Sequence, residues 1–294
     1  SAAESMTTGA ANSIGGFQAG QYLTEGDNNT AFGKQALQSV STGSTAGGNT
    51  ALGSEAMKAN TTGGSNVAVG YLALLSNTTG SDNTAVGAAA LDANTTGSDN
   101  TAVGQGALSA LSTGGSNTSV GRLAGLAQTT SSFNTLIGRG AGEALTTGGS
   151  NVAIGYNALD ENTTGSSNVA VGTKAMANTA TAVGGSIAIG EDALEDLTTS
   201  NVIAIGYQAG KEITTGAFTT LCGYAAGDAI TTAQANTGFG YAVLTDCTTG
   251  HSSSAFGKGA LQSVTTGIQN SAVGSTALDT CTTGSNNSAL GQAA

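Results

Sequence analysis

The chain has 294 residues, with 47 Gly, no Pro and no Trp, and charged residues make up only 9% of it. Collagen needs Gly at every third residue and much Pro, so this composition excludes a collagen fibre. The formal net charge is -11 and Lys and Arg are not clustered, which argues against nucleic acid or anionic membranes as partners, and no apolar run is long enough for membrane insertion.

One unit of about 17 residues recurs along the whole chain. It reads Asn, Thr or Val, Ala, an aliphatic residue, Gly, two variable residues, Ala, Leu, three variable residues, Thr-Thr-Gly and two turn residues. Seventeen copies align on the Gly after the aliphatic residue, from Gly16 to Gly291. Extra residues fall in turns near 43–48 and 177–185, as solenoid repeats tolerate. We predict one continuous repeat domain over residues 1–294.

The first part of each copy predicts a short strand. In Asn83-Thr84-Ala85-Val86-Gly87, the β-branched residues favour a strand, and a 17-residue copy is too short for two helices and a turn. The sequence therefore predicts an all-β fold, a parallel β-solenoid of 17 coils, about 80 Å long at a strand separation of about 4.8 Å. Because strand side chains alternate, we place Thr84 and Val86 in the interior. The small Asn, Ala and Gly would then face a neighbouring chain and support a homotrimer.

The second part of each copy completes the coil. Ala90 and Leu91 predict a second short strand or extended segment that covers the interior, and Thr95-Thr96-Gly97 predicts a turn with Gly97 in a left-handed conformation. The Asn that opens each strand predicts a ladder of stacked amides. Its members are Asn66, Asn83, Asn100, Asn117, Asn134, Asn151 and Asn168.

The three cysteines do not predict a disulfide. Cys247 and Cys281 share a repeat position two coils apart, about 9.6 Å, which exceeds disulfide reach. Val264 stands between them in that position, so we expect buried apolar thiols. Cys222 occupies the aliphatic strand position, which we place in the interior.

No residue is assigned to a catalytic, cofactor-binding or metal site, and we do not expect an enzyme or a bound cofactor. Gly138-Arg139-Gly140-Ala141-Gly142 resembles a phosphate loop but is the repeat's own Gly-x-x-Ala-Leu stretch. His251 is the single histidine and has no recurring acid beside it. Two weaker patterns are calcium ligands at Asp27, Asn28, Asn29, Asp82 and Asp99, and glycosylation sequons at Asn60, Asn77, Asn94 and Asn162, better explained as turn chemistry.

Three strand segments carry a resemblance to a known family. Residues 151–155, 186–190 and 202–206 resemble the head repeat of YadA-like trimeric autotransporter adhesins, and the longer unit with Ala-Leu and Thr-Thr-Gly looks like repeat shafts of phage tail fibres. The resemblance covers the whole chain and implies a parallel β-roll, three chains around one axis and a role in attachment. The unit is longer than the adhesin head repeat, which leaves a tail-fibre shaft equally open.

We therefore expect a structural or attachment fibre that acts as an elongated spacer outside the cell, on a cell surface or on a virion. Its expected partner is itself, as a homotrimer and, because the two chain ends fall almost in phase with the repeat, as an end-to-end filament. A receptor or glycan would bind through a part outside this sequence. The alternative is an ice-binding solenoid that uses Thr columns, although the paired Thr are adjacent and should point to opposite sides.

Overall fold

The computed structural model describes residues 9–39, 44–179 and 182–294, and they form a parallel β-solenoid. The chain divides into two compact units, residues 1–150 and 151–294. Each coil contributes one strand of three residues and no helix occurs among the described residues, so the predicted all-β solenoid fold is confirmed.

Unit 1 holds the first eight strands, which pair in sequence order, each parallel to the next. Equivalent residues of successive coils lie side by side, as Ala85 does beside Ala102. Seven strand spacings give this stack a height of about 34 Å. The strands are Ser13–Gly15 (β1), Thr30–Phe32 (β2), Thr50–Leu52 (β3), Val67–Val69 (β4), Thr84–Val86 (β5), Thr101–Val103 (β6), Thr118–Val120 (β7) and Thr135–Ile137 (β8).

Unit 2 holds nine strands with the same parallel order, and their registers also join equivalent repeat positions. The strands are Val152–Ile154 (β9), Val169–Val171 (β10), Ile187–Ile189 (β11), Ile203–Ile205 (β12), Thr220–Cys222 (β13), Thr237–Phe239 (β14), Ser254–Phe256 (β15), Ser271–Val273 (β16) and Ser288–Leu290 (β17).

Backbone hydrogen bonds join successive coils at three places. On the strand, the Thr84 amide donates to the Asn100 carbonyl at 2.8 Å. In the segment after the strand, Leu91 donates to Ala107 at 2.9 Å, and in the turn Thr95 donates to Ser112 at 2.8 Å. Every part of the coil is therefore tied to its neighbour, although each strand is only three residues long.

The strand faces are the reverse of the predicted arrangement. Ala85 and Asn83 are fully buried in the coil, whereas Thr84 and Val86 point outward and are only half-buried. The prediction failed because it gave the interior to the larger strand residues. The interior is filled instead by Leu91 and Ala90 from the opposite side, which leave room only for small groups on the strand. A trimer interface on the Asn-Ala-Gly face is thus ruled out, because that face is the core.

The Ala-Leu segment covers the interior as predicted, but it is a chain of turns and not a second strand. Two of its residues in each coil adopt a left-handed backbone, such as Ala89 with a φ of 52° and Leu91 with a φ of 56°. This alternation directs the Ala89 amide to the preceding coil and the Leu91 amide to the following coil. The segment thus forms coil-to-coil hydrogen bonds without strand geometry.

Two Gly columns are required by close approach between coils. The strand-ending Gly104 has a φ of 134°, and a Cβ there would meet the carbonyl of Gly121. The turn residue Gly97 is not left-handed, contrary to the prediction, and it is needed because a Cβ would meet the Gly114 carbonyl and the Asn94 amide.

In several coils the large interior residue is exchanged between the strand and the segment opposite it. Most coils place Ala at the centre of the strand and Leu or Met in the segment, but β8 has Leu136 at its centre and Gly142 opposite. A Cβ on Gly142 would lie 3.0 Å from the Leu136 Cδ2 atom. The same exchange pairs Ile14 with Gly20 and Leu221 with Gly227. One large aliphatic side chain in each of these coils therefore fills the space, from either side.

The exchange predicts compensation between two substitutions. Leu136→Ala alone should lower the free energy of unfolding by about 2–5 kcal/mol because it leaves a cavity. Gly142→Leu alone should also destabilise through overpacking. The double variant should recover most of the loss, since it recreates the arrangement of the other coils. Denaturant unfolding measures all three, and additive losses in the double variant would contradict the shared volume.

The strand-ending Gly column gives a second prediction. Gly104→Val should destabilise the protein by at least about 3 kcal/mol, because a β-branched residue would combine an unfavourable φ with the backbone clash. Gln105→Val, at the adjacent exposed position, is the matched control and should change little. Equal melting temperatures for the two variants would be inconsistent with this geometry.

Candidate functional site

The outward first and third residues of the strands form a surface that we call the strand face. No residue of the seventeen described strands is charged, although the chain carries a net charge of -11. In unit 1 the strand face is nearly uniform, with Thr or Val at the first position and an aliphatic residue at the third from β3 onward. Phe32 is 51% exposed, and the third residue of every later strand in unit 1 remains half-buried or exposed.

The strand face of unit 2 is more apolar and less uniform. Strands β11 and β12 each place Ile at both outward positions, and Ile189 and Ile205 are both 38% exposed. The third residue then changes to Cys222, Phe239 and Phe256 in the next three strands. A continuous column of exposed apolar side chains is unusual for a monomeric protein, because monomeric proteins rarely leave large apolar patches in water.

Five exposed rings in unit 2 form two stacks, which we together call the aromatic patch: Tyr207, Tyr224 and Tyr241 in one, and Phe239 and Phe256 in the other. The tyrosines follow the strand-ending Gly of three successive coils, and the phenylalanines end strands β14 and β15. Phe239 and Tyr241 are two residues apart, so their Cα atoms are within about 7 Å. At exposures between 39% and 54%, the rings present on the order of 400 Å² to solvent.

The rings stack on one another along the direction in which coils repeat. The ring centroids of Tyr207 and Tyr224 are 5.1 Å apart at 16°, those of Tyr224 and Tyr241 are 5.2 Å apart at 9°, and those of the two phenylalanines are 5.5 Å apart at 3°. The Lys258 ammonium lies 5.9 Å from the Tyr241 centroid. Both faces of Tyr224 and Tyr241 are therefore occupied, and the patch presents ring edges and hydroxyls to a partner.

This geometry limits the chemistry of a partner. Sugar rings and nucleic acid bases bind aromatic residues by stacking on an open ring face. The inner rings of this patch do not offer one. Ring edges pack well against apolar surfaces and against other aromatic rings, so the patch is suited to a protein surface.

Sequence reasoning treated the aromatic residues as scattered along the chain and missed this patch. The repeat spacing was the available signal. Tyr207, Tyr224 and Tyr241 follow one another at intervals of 17 residues, and Phe239 and Phe256 are also 17 residues apart. Parallel pairing in register places such residues directly beside one another. Their exposure, however, followed only from the corrected assignment of strand faces.

Charged side chains lie on the segment after the strand and in the turns. One ion-pair group lies in unit 2, where the Lys211 Nζ atom is 3.3 Å from the Glu195 Oε2 atom and 3.7 Å from the Asp192 Oδ2 atom. Lys174 contacts Glu195 from another coil at 3.6 Å. These pairs border solvent and leave the strand face uncharged.

The phosphate-loop candidate lies in the segment after β8. Ala141 and Gly142 are buried there, and the Gly140 amide donates to the Arg122 carbonyl of the preceding coil at 3.1 Å. That amide is engaged in coil stacking. His251 lies exposed in a turn, where its Nδ1 atom is 3.4 Å from the Thr249 carbonyl. A shallow groove beside it is lined by Thr232, Gln234, Ala235, Thr249, His251 and Ser252, without a carboxylate among these residues.

The calcium candidates have structural contacts in the turns. The Asp27 Oδ1 atom accepts from the Ala10 amide at 2.6 Å. Asn28 and Asp82 have left-handed backbones, with φ of 58° in each, and so does Asp99, with a φ of 60°. No group of three or more His, Cys, Asp or Glu side chains arranged to hold a metal ion occurs in the part of the chain that the structure describes.

The predicted Asn ladder is confirmed, and it runs through the interior. The Asn83 side-chain nitrogen donates to the Asn66 Oδ1 atom at 3.1 Å and to the Gly97 carbonyl at 2.9 Å. The sequon asparagines form a second ladder, in which Asn77 donates to the Asn60 Oδ1 atom at 3.0 Å. Asn60, Asn77, Asn94 and Asn162 are fully buried, so a glycan cannot be attached to their nitrogens in the folded chain.

The three cysteines are free thiols in different surroundings. Cys247 is buried as predicted, and its thiol donates to the Gly250 carbonyl at 3.2 Å. The sequon asparagines make the equivalent bond in their own coils, as Asn94 does to the Gly97 carbonyl. Burial raises the pKa of this thiol to about 11. Cys281 is only half-buried. Cys222 is not an interior residue as predicted, because it is the outward third residue of β13 on the strand face.

The paired threonines of each turn have different roles. The Thr95 hydroxyl donates to the Ser112 carbonyl of the next coil at 3.0 Å, whereas Thr96 is exposed. The two side chains therefore differ in their access to water. A separate column of outward threonines lies on the strand face of unit 1, as at Thr84, Thr101 and Thr118.

The described residues include no helix with the length and apolar character needed to cross a membrane. No protein-family model matches the sequence, and a search of curated proteins finds no match.

Burial of one carboxyl group predicts a pH-dependent contribution to stability. Burial raises the pKa of Asp92 above its ordinary value of 3.8, although a Ser109 hydrogen bond opposes this. Its Oδ1 atom has no hydrogen-bond partner. Protonated Asp92 therefore favours the fold below its unfolded pKa, and this stabilisation is lost as pH rises through the folded pKa.

Asp92→Asn should consequently raise the melting temperature at pH 7, and the difference from wild type should shrink toward pH 3. Asp99→Asn, at an exposed position, serves as the control and should show no comparable effect. Thermal unfolding followed by circular dichroism across this pH range measures both. If Asp92→Asn gained less over wild type at pH 7 than at pH 3, the prediction would be wrong.

Proposed function

We propose that this chain is a structural or attachment fibre segment, whose strand face is covered by further copies of the same chain in a homotrimer. The observation that carries the proposal is the uncharged strand face, which presents an exposed or half-buried apolar side chain in nearly every coil. The interior of each coil is already filled, so this face is not part of the chain's own core. A partner is needed to remove it from water.

A second copy is the partner that matches the spacing of this face. The outward columns repeat at the strand separation of about 4.8 Å, coil after coil. A globular partner would contact a few coils and leave the remainder exposed. Another solenoid of the same chain presents the same period and contacts every coil, as stacked identical strands do when they pack face to face.

The available surface is sufficient for a stable association. Each partner in a stable protein complex buries about 800 Å². The total accessible surface of the chain is 10705 Å². The strand face contributes two residues of every 17, on the order of a tenth of that surface, which is about the area that such an interface requires.

The arrangement of hydrogen bonds supports a role as a mechanical spacer. Strand, segment and turn each bond to the next coil, and two columns of buried amides add side-chain bonds in the same direction. A force along the stack is therefore resisted by many bonds at once. In this proposal the fibre acts outside the cell, on a cell surface or a virion, and holds a receptor-binding or glycan-binding part at a distance.

Mass in solution tests the proposal. The wild-type protein should have three times the 28.1 kDa mass of one chain in light scattering. Val86→Glu with Val103→Glu places two charges on the strand face and should convert the assembly to single chains, because the charges would be desolvated in the interface. Thr96→Glu with Thr113→Glu, at exposed turn positions, is the matched control and should leave the mass unchanged.

Circular dichroism must show the solenoid intact in both variants. A wild-type protein that remains a single chain at high concentration would overturn the proposal.

The outward threonine column of unit 1 favours ice binding as a second candidate function. Regularly spaced hydroxyl and methyl groups on a β-face would be exposed to water only if this face remained uncovered. Thermal hysteresis of a single-chain wild-type protein would support ice binding in place of the fibre. Its loss in Thr84→Val with Thr101→Val would locate the activity on the strand face.

A further inference from the structure

The strand face of unit 2 changes in character along the stack, and this change limits how copies can align. A face that repeats every coil can pair with a second copy in many registers, because a shift by one coil restores most of the same contacts. In unit 1 the third strand residues are all Val or Ile from β4 onward, so they discriminate little between registers. Unit 2 contains a feature that breaks the period.

The aromatic patch is that feature. It spans the coils of β12 to β15, and the third strand residues around its two phenylalanines are smaller, with Ile205 and Cys222 before them and Val273 after them. In an alignment shifted by one coil, a phenylalanine ring would face Cys222 or Val273 of the other copy, and a tyrosine ring would face Glu191 or Lys258. Contacts would be lost at one edge of the patch and crowding would arise at the other.

Because the rings stack on one another, their positions are already fixed before a partner packs against them. Tyr224 is held between Tyr207 and Tyr241, and Phe239 is held against Phe256. A ring fixed by neighbours on both faces loses little further freedom when a partner packs against its edge. Edge contacts between such ladders favour one alignment, in which aromatic meets aromatic.

We propose that the aromatic patch of one copy packs against the aromatic patch of another, and that this contact fixes the axial register of the assembly. The inference rests on the self-association described under the proposed function and adds to it the residues that determine alignment. The partner is a second copy of this chain with its coils at the same height.

Cys222 provides a reporter of register, because it lies on the strand face between the outward residues of β12 and β14. The experiment uses the full chain with Cys247→Val and Cys281→Val, since Val264 already occupies that repeat position. A short bis-maleimide then links two chains by adding to one Cys222 thiol from each. A shift of one coil would separate the two thiols by about 4.8 Å more along the stack.

In the Cys222-only background we expect efficient formation of a covalent dimer, within an assembly of three chains in solution. Tyr207→Thr, Tyr224→Thr and Tyr241→Thr together should leave the mass in solution unchanged and lower the cross-linking yield at least about threefold. Thr is the residue that the repeat itself carries at this position in Thr173. Tyr71→Thr, at the same repeat position in unit 1, is the matched control and should leave the yield unchanged.

A second variant tests the same contact in case the triple tyrosine variant does not fold. Phe239→Val with Phe256→Val introduces the residue found at Val273, and it should lower the yield in the same way. A single-chain mass in the background protein would refute self-association itself. An assembly whose Cys222 thiols do not cross-link, or whose yield is the same in both aromatic variants as in the background, would refute the register contact alone.

Discussion

The close stacking of successive coils is the constraint on which the rest of the structure depends. Each coil hydrogen-bonds to the next through its strand, through the segment after it and through its turn. At that spacing, backbone meets backbone at the strand-ending Gly and at the turn Gly, and a Cβ at either place would overlap a carbonyl group of the next coil. The Gly columns and the left-handed residues follow from this spacing.

The same spacing leaves a narrow interior that is filled in two ways. Aliphatic side chains occupy part of it, with a large residue either in the segment, as Leu91, or on the strand, as Leu136. Amide ladders occupy the remainder, where the Asn83 and Asn94 side-chain nitrogens both donate to the Gly97 carbonyl, which would otherwise be buried without a donor. Since buried polar groups are costly without partners, the two ladders and the turn carbonyls stabilise one another.

Because the interior is complete with small strand residues, the larger ones must face outward. This is the origin of an uncharged, apolar strand face on a chain that is otherwise acidic. Unit 2 also carries exposed aromatic rings that stack on one another along the direction in which the coils repeat. The proposed fibre and its self-association rest on that division, because the filled interior leaves the outer face for a partner.

The sequence by itself determined the period, the strands and the stacking of equivalent residues. It did so because a 17-residue repeat with β-branched segments leaves few other folds, and because parallel stacking in register follows from identical copies. The Asn ladder and the buried Cys247 were predictable for the same reason.

Only the tertiary structure decided which strand face is inside. Alternation along a three-residue strand distinguishes two faces but does not say which is buried, and residue size suggested the wrong one for Val86 and Cys222. The choice depends on what lies opposite the strand, and the left-handed turns that bring Leu91 there are made by ordinary residues such as Ala89 and Leu91 themselves. Those conformations are imposed by hydrogen bonds to neighbouring coils, so they have no local signature that a reading of the sequence could detect.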